Sequence, residues 1–581
     1  MNTIFKIQRK SGTYSELLEA FGLANLLREL LLDNNSISIS IHATDSTYEV
    51  RLNQLLPDDA LKRIRYFPLF KYIKIKNDTD INQYSDYYDY PELKIWKKER
   101  QELLNKAYKE VDKIKRENDI KSIESVFDRH KPIPYEFDVV AQFVNPNVFS
   151  GFDKMYQNLF INKDNFIDFI KEIISFYTEA NYKSTEFEKW IKNLTFEKNP
   201  TATQLLNPNQ GKGLKAAKAN GVSGGNFKSS WISETMKISG ALSDMICQLV
   251  KVGTSYDLKV FVPEYKDINL TNKSELIKKF KKYTKGSNIP VKIDILNILL
   301  LTQLVIEHLG YTGVRRKVKD IVSGLHSVYQ KDLGQNKAVI NIGFIQIPDF
   351  IEINSLEENQ TWVEILEEQR KIIGTISEFG NTTQGLLLYR DFISGGNLDN
   401  FFQFSFWYAQ YLSSRLSNKK YARAFSIETL NKFYYSMDSN NNFNLKEIIE
   451  NNGFIAVANA IRKSTVTLQY TPKDARKYEI RYGIAQTLQN KSKSTKDFVE
   501  FVGEFISYYN AETARYKEKT GNNFRSNVRE NELTDFYLLL DKFPSKLVGA
   551  LLASYGFALT KKDNSSTENV DDELQNENIE D

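Results

Sequence analysis

Ser494 to Gly521 reads STKDFVEFVGEFISYYNAETARYKEKTG, and the spacing of its apolar residues decides the fold class of the region around it. Phe498, Phe501, Val502, Phe505, Tyr508 and Tyr509 recur every three or four residues, which gathers them on one face of a helix. Ser494 and Asp497 have the spacing of a capping box, with Asp where Glu or Gln is usual. Lys517 and Lys519 fall in the last turn, where they meet the negative end of the helix dipole, and Gly521 supplies the stop. Outward from this stretch the patterning stays helical. Asp438 to Asn442 form a polar break, and helices are expected from there to about Leu559, giving a small all-α bundle with its own core.

The rest of the chain mixes helices with short strands. Leu17, Leu18, Phe21, Ala24, Leu27, Leu30 and Leu31 recur at helical spacing until Asp33-Asn34-Asn35. Ile37, Ile39 and Ile41 alternate with polar residues as a half-buried strand, and Tyr48, Val50 and Leu52 suggest its partner. Pro91 to Lys121 reads as one long charged helix, and Asp153 to Leu194 as helical. Trp231 to Val250 reads as an amphipathic helix, and Leu258, Val260 and Val262 as a strand ended by Pro263. Helices are expected from there to about Tyr329, then a strand from Val339 to Ile347. The expected fold is therefore α+β, mostly helical, with a mixed N-terminal and central region and an all-α C-terminal bundle. A chain of 581 residues exceeds a single core. We divide it into an N-terminal α+β region (1–150), a central α+β region (151–435), a helical bundle (436–562) and an acidic, disordered tail (563–581).

Composition narrows the function. The single cysteine, Cys247, excludes an internal disulfide and points away from secretion. The most apolar stretch, Ile293 to Leu309, contains Asp294, Asn297, Gln303, Glu307 and His308, too polar for a membrane span. No leader or membrane segment is expected, and the reading is cytosolic. The net charge of +4 hides an asymmetry: residues 563–581 hold eight Asp or Glu and no Lys or Arg, which leaves +12 on the other 562 residues. A basic body with an acidic tail suits a nucleic-acid binder.

Catalytic signatures are missing from the sequence. The four histidines are scattered, so no zinc site, no other metal and no cofactor are expected. Gly221 to Ser229 lacks the adjacent G-K-[ST] of a phosphate loop. A metal-dependent nuclease built on Asp257, Glu264 and Lys266 is the weakest alternative, because all three lie along one strand. Nucleic-acid chemistry is present instead. Residues 207–230 place Lys212, Lys215, Lys218 and Lys228 among five glycines, which let a backbone approach phosphates, with Asn207, Gln210 and Asn226 as candidate base contacts. Arg315, Arg316 and Lys317 form a second cluster. The bundle supplies Arg462, Lys463, Arg476, Lys477, Arg481, Arg515, Arg525 and Arg529, and residues 437–562 carry 19 basic and 14 acidic side chains. The aromatic stretch Phe401 to Tyr411 reads as core.

Several short runs, in order over about half the chain, carry a resemblance. They are Asn452-Gly453-Phe454, Ala460-Ile461-Arg462-Lys463-Ser464-Thr465, Glu479-Ile480-Arg481-Tyr482-Gly483, Tyr509-Asn510-Ala511-Glu512 and the stretch Leu547 to Phe557. Asn207-Pro208-Asn209-Gln210-Gly211-Lys212-Gly213 leading to Trp231, and Gly313-Val314-Arg315-Arg316 with Gly324, extend it. The chain resembles the large subunit of type I CRISPR surveillance complexes (Cascade), in the branch whose C-terminus is fused to a small-subunit-like bundle. The first 150 residues carry none of the resemblance. It implies a non-catalytic, RNA-guided role: recognition of the protospacer-adjacent motif, help in opening duplex DNA, and a bundle along the displaced strand. The implied partners are guide RNA-bound backbone subunits, target double-stranded DNA and the displaced single strand, small subunits, and a recruited nuclease-helicase or transposition proteins. Another nucleic-acid-binding assembly protein is the alternative. Met437, the only methionine after Met245, is a candidate internal start for a separately made small subunit of 145 residues.

Overall fold

The computed structural model describes residues 3–32, 36–57, 59–63, 71–75, 87–110, 112–133, 150–179, 182–210, 228–309, 316–333, 337–378, 382–441, 444–522 and 524–560. Helix accounts for 61% and strand for 15%, so the chain is α+β and mostly helical, as its sequence patterning predicts. Two compact units form, one from residues 1–290 with 317–347, the other from 291–316 with 348–581. This grouping differs from the division at residues 150 and 435, and packing explains both differences.

The first unit starts with β1 (Ile4–Gln8), α1 (Ser15–Leu30), β2 (Ile39–Ala43), β3 (Thr47–Leu52), α2 (Ala60–Arg63), β4 (Tyr72–Lys74) and β5 (Tyr87–Asp89). It continues through α3 (Tyr90–Tyr108), α4 (Lys113–Arg129), α5 (Ser150–Ile161), α6 (Phe166–Thr178), α7 (Thr185–Ile191) and α8 (Trp231–Asp244). Then follow β6 (Ile246–Val252), β7 (Ser255–Tyr265), β8 (Asp267–Asn269) and α9 (Leu270–Tyr283). After α10 (Pro290–Leu309) and β9 (Arg316–Lys317), the chain adds β10 (Val322–Asp332) and β11 (Lys337–Gln346). Two antiparallel sheets result, in the orders β1-β3-β2-β8 and β11-β10-β7-β6. The expected hairpin is present, with Ile41 opposite Val50.

Residues 1–150 are not a separate body because α1 packs on both α8 and the first sheet. The two helices cross through reciprocal glycines. A Cβ on Gly22 would sit 1.9 Å from the Met236 carbonyl oxygen, and one on Gly240 would sit 1.9 Å from that of Leu18. Backbone-to-backbone contact this close leaves no room for any side chain.

Four local expectations change. The charged segment from Pro91 is two helices: the Asp112 carboxylate accepts from Lys115 N at 2.9 Å and starts α4, while Trp96 Nε1 donates to Phe127 O at 3.0 Å across the pair. The helix expected to reach Val250 ends at Asp244, and β6 follows. Pro263 does not end its strand. β6 begins opposite Phe261, so Pro263 has a neighbour only in β10 and its missing N–H costs no bond on the other side. Finally, Val322 to Tyr329 is a strand, not helix; β10 lies between β7 and β11 and is buried on both faces, which removes the alternation that marks strands.

The second unit runs from α10 through β12 (Glu352–Ile353), α11 (Leu356–Thr375), α12 (Thr382–Gly395), α13 (Leu398–Ser417), α14 (Ile427–Asn441) and α15 (Leu445–Ile449). It ends with α16 (Asn452–Ser464), α17 (Val466–Tyr470), α18 (Ile484–Lys491), α19 (Thr495–Thr520), α20 (Glu530–Lys542) and α21 (Ser545–Gly556). α19 has the caps its sequence predicts: Ser494 Oγ accepts from Asp497 N, and Gly521 adopts φ +71°. Phe401, Phe402, Phe404, Phe406 and Tyr408 are core.

The bundle does not begin at residue 436. α13 packs on α21, Leu559 N donates to Phe425 O at 2.9 Å, and the Tyr434 ring stacks on Tyr555 at 5.8 Å. Met437 itself is fully buried within α14. A product starting there would lose α13 and most of α14 and expose the face of α21 that they cover. Two predictions follow from packing. Gly22→Ala or Gly240→Ala should destabilise the chain by about 2–3 kcal/mol or more in denaturant melts, whereas Gly374→Ala, with open space at its Cβ, should not. A fragment beginning at Met437 should give poorly dispersed amide NMR signals, and well-dispersed signals from it would show that α13 and the start of α14 are not needed to cover α21.

Candidate nucleic-acid interface

Around Arg525 three parts of the bundle meet: the end of α16, the corner before α18 and the middle of α19. α16 ends with Arg462 and Lys463 in its last turn. Arg481 N then donates to Ser464 O at 2.9 Å, which returns the chain to the end of α16. Gly483 takes φ +80° and starts α18, so the Arg481-Tyr482-Gly483 run is a tight corner beside α19. On α19, Asn510 grips the returning segment through both amide atoms: its Nδ2 donates to Val528 O at 2.8 Å, and its Oδ1 accepts from Val528 N at 2.9 Å. Tyr509 OH donates to Ser526 O at 3.1 Å.

This clasp delivers Arg525 into the bundle, where it is 4% exposed. Its guanidinium lies between the rings of Tyr478 and Tyr509, 3.8 and 4.0 Å from their centroids. Nε donates to Thr513 Oγ1 at 2.7 Å, and Nη2 donates to Tyr509 O at 3.0 Å and Glu512 Oε2 at 2.5 Å. Glu512 also faces Arg481 at 3.7 Å. Burial, joined by Tyr478 and Glu512, pushes Tyr509 up to about 12 against the opposing charge of Arg525. Lys463 is held below the usual lysine value by burial and by the nearby Arg462 and Arg525. One carboxylate thus stands among several cations.

Outside the clasp lies a surface of aromatic rings and cations. Tyr482, Tyr508 and Phe524 are 63%, 58% and 51% exposed, unusual for rings of this size. The Arg481 guanidinium lies 5.9 and 5.8 Å from the Phe505 and Tyr508 ring centroids, and Lys477 Nζ lies 5.5 Å from that of Phe524. Phe524 meets Tyr516 at 5.5 Å, and Tyr516 meets Tyr478 at 5.0 Å. Tyr508, Glu512 and Arg515 follow one another at helical spacing along α19, and Arg515 is exposed. From Tyr508 to Tyr516 the surface spans about 12 Å of helix. Exposed rings among cations offer stacking faces and phosphate partners together.

The sequence-derived candidates divide sharply. Lys477, Arg481 and Arg515 belong to this surface, and Arg529 is exposed at the start of α20. Arg525 is almost wholly buried. Arg462 is half-buried and donates to Tyr555 O at 3.0 Å, and Arg476 Nε donates to Thr471 O at 2.9 Å, so both brace the backbone. Asn207 is 2% exposed: its amide donates to Glu234 Oε1 at 2.9 Å and accepts from Lys237 Nζ at 2.8 Å, so it is no base reader. Lys228 is exposed, 3.4 Å from Glu197, and pairs through its backbone with Thr201. Gln210 ends a 3₁₀ turn from Pro208, and Lys317 follows Arg316 in β9. Lys212, Lys215, Lys218, Asn226 and Arg315 lie outside the described residues, as does the acidic stretch 563–581. What sequence reading missed is the exposed rings: Tyr508 shares a helical stripe with Phe498, Val502 and Phe505, and so reads as core.

The residues of the nuclease alternative are occupied separately. Asp257 accepts from Tyr329 OH at 2.6 Å and Asp332 N at 2.8 Å. Glu264 accepts from Tyr48 OH at 2.7 Å, Arg9 Nη2 at 3.1 Å and His326 Nε2 at 2.8 Å. Burial alone would raise Glu264, but the hydrogen bonds from His326 and Tyr48 and the charges of His326 and Arg9 outweigh it and hold the carboxyl below its usual range. Seven residues of strand separate Asp257 from Glu264, about 23 Å. Among the described residues no three His, Cys, Asp or Glu side chains gather as a metal site, and no helix is long and apolar enough to cross a membrane. No protein-family model matches the chain, and no curated protein matches it.

Arg525→Lys keeps the charge but loses the planar fork and the stacking. It should destabilise the chain by about 2–4 kcal/mol in denaturant melts. An unchanged melt would mean that Arg525 is not part of the scaffold.

Proposed function

We propose that this chain is a non-catalytic nucleic-acid-binding subunit, and that its assembly is an RNA-guided type I CRISPR effector complex in the cytoplasm. In that role it recognises the protospacer-adjacent motif, helps open the duplex and steadies the displaced strand. The observation that carries the reading is the α19 surface, where Tyr482, Tyr508 and Phe524 stand exposed among Lys477, Arg481 and Arg515. Residues 473–529 hold twelve Lys or Arg against seven Asp or Glu, which is the whole basic excess of the bundle. Rings stack on any base and cations meet any phosphate, so the surface suits a single strand of arbitrary sequence. Sequence would then be read by the guide RNA, as the resemblance implies. The lysines of residues 211–228 remain candidates for the first capture of duplex DNA.

The chemistry of this surface separates two kinds of variant. Lys477→Glu, Arg481→Glu and Arg515→Glu together should weaken binding of a single-stranded oligonucleotide at least about ten-fold and flatten its dependence on log salt by about two units. Tyr482→Ala, Tyr508→Ala and Phe524→Ala should each cost about 1–3 kcal/mol of binding with the salt dependence retained. Fluorescence anisotropy at several salt concentrations measures both. Failure of the intact chain to bind, or insensitivity to both sets, would reject the reading. Co-expression with backbone subunits and a guide RNA should yield a complex retaining the chain, and its absence from that complex would reject the CRISPR assignment alone.

A further inference from the structure

We infer that the acidic C-terminal stretch of this chain docks on the aromatic and basic surface of α19 and competes there with nucleic acid. The competition rests on the function proposed above; the docking does not. Complementarity is the first argument. Residues 563–581 place Asp563, Glu568, Asp571, Asp572, Glu573, Glu577, Glu580 and Asp581 around three apolar residues, Val570, Leu574 and Ile579, with no Lys or Arg. The facing surface combines cations with rings more than half exposed, so each side offers what the other lacks.

Position is the second argument. α21 ends at Gly556, and Leu559 is fastened by its N–H to Phe425 O, so the described chain ends at a fixed point on the bundle. That point is already cationic: Arg462 donates to the Tyr555 carbonyl at 3.0 Å, and Lys463 follows it. Lys463 senses both Arg462 and Arg525, so positive charge continues from the exit toward the Arg525 clasp and the corner at Arg481.

Reach is the third. Twenty-one residues follow Thr560, and an extended chain of that length spans up to about 70 Å. A compact unit of this size has a radius of gyration of roughly 18 Å, so all of its surface lies within range. A tethered polyanion acts at high effective concentration, so modest contacts suffice to screen the surface until a longer polyanion displaces it. Weak, non-specific nucleic acid would be excluded, while a strand presented by the assembled complex would win.

Docking and competition are tested apart, on the full chain. For docking, Leu574 is replaced by photoreactive benzoylphenylalanine and crosslinked peptides are mapped by mass spectrometry. Crosslinks should fall within residues 477–529 and be lost after Lys477→Glu, Arg481→Glu and Arg515→Glu together. Crosslinks elsewhere, or unchanged by those substitutions, overturn the inference whether or not nucleic acid binds. For competition, all eight acidic residues are changed to Asn or Gln. Affinity for a single-stranded oligonucleotide should rise about ten-fold near 50 mM salt and less than two-fold near 500 mM. The rise should vanish in the background of the three charge reversals. Persistence of the gain there, or no gain at all, overturns competition. Docking-dependent crosslinks in a chain that binds no oligonucleotide would instead reject the function on which competition rests.

Discussion

One buried cation organises the surface on which the functional reading depends. Arg525 stacks between Tyr478 and Tyr509 and reaches Glu512, so it ties the loop before α18, the middle of α19 and the segment leading to α20 together. Removing a charge from water costs several kcal/mol, and the arrangement offsets this with three hydrogen bonds and two ring faces. Because Glu512 is shared between Arg525 and Arg481, the buried scaffold also sets the position of an exposed arginine. The shared carboxylate thus links the buried Arg525 to the exposed surface through Arg481.

The two units show different uses of charge. In the first, buried carboxylates are satisfied internally: Glu264 by Tyr48, Arg9 and His326, and Asp244 by Lys273 at 2.5 Å. Those groups join helices and sheets and leave little for a ligand. In the second, Lys477, Arg481 and Arg515 at the α19 surface outnumber the Glu512 carboxylate beside them, while eight acids are set apart at residues 563–581. Net charge alone conceals this division of the sequence into a basic body and an acidic end.

Much of this fold was legible, for reasons particular residues make plain. α19 followed from apolar spacing bounded by Ser494 and Gly521, and the β2–β3 hairpin from alternation around Ile41 and Val50. β10 was not, since a strand buried on both faces loses its alternation and resembles buried helix. Pro263 misled because a proline disrupts a strand only where a neighbour needs its N–H. The candidate site was half legible. Lys477, Arg481 and Arg515 were named from charge, but Arg525 and Asn207 proved to be scaffold, because composition does not reveal which polar group a fold buries. The exposed rings were hidden for the converse reason: Tyr508 follows the core stripe but lies just past its edge.

The central claim is that a nucleic-acid strand lies across Tyr482, Tyr508 and Phe524. Ultraviolet crosslinking of the full chain to a bromodeoxyuridine-substituted single strand, with the attached residues sequenced by mass spectrometry, tests it most directly. Adducts on these three residues are the predicted result. Adducts confined to other parts of the chain, with none between residues 477 and 529, would contradict it.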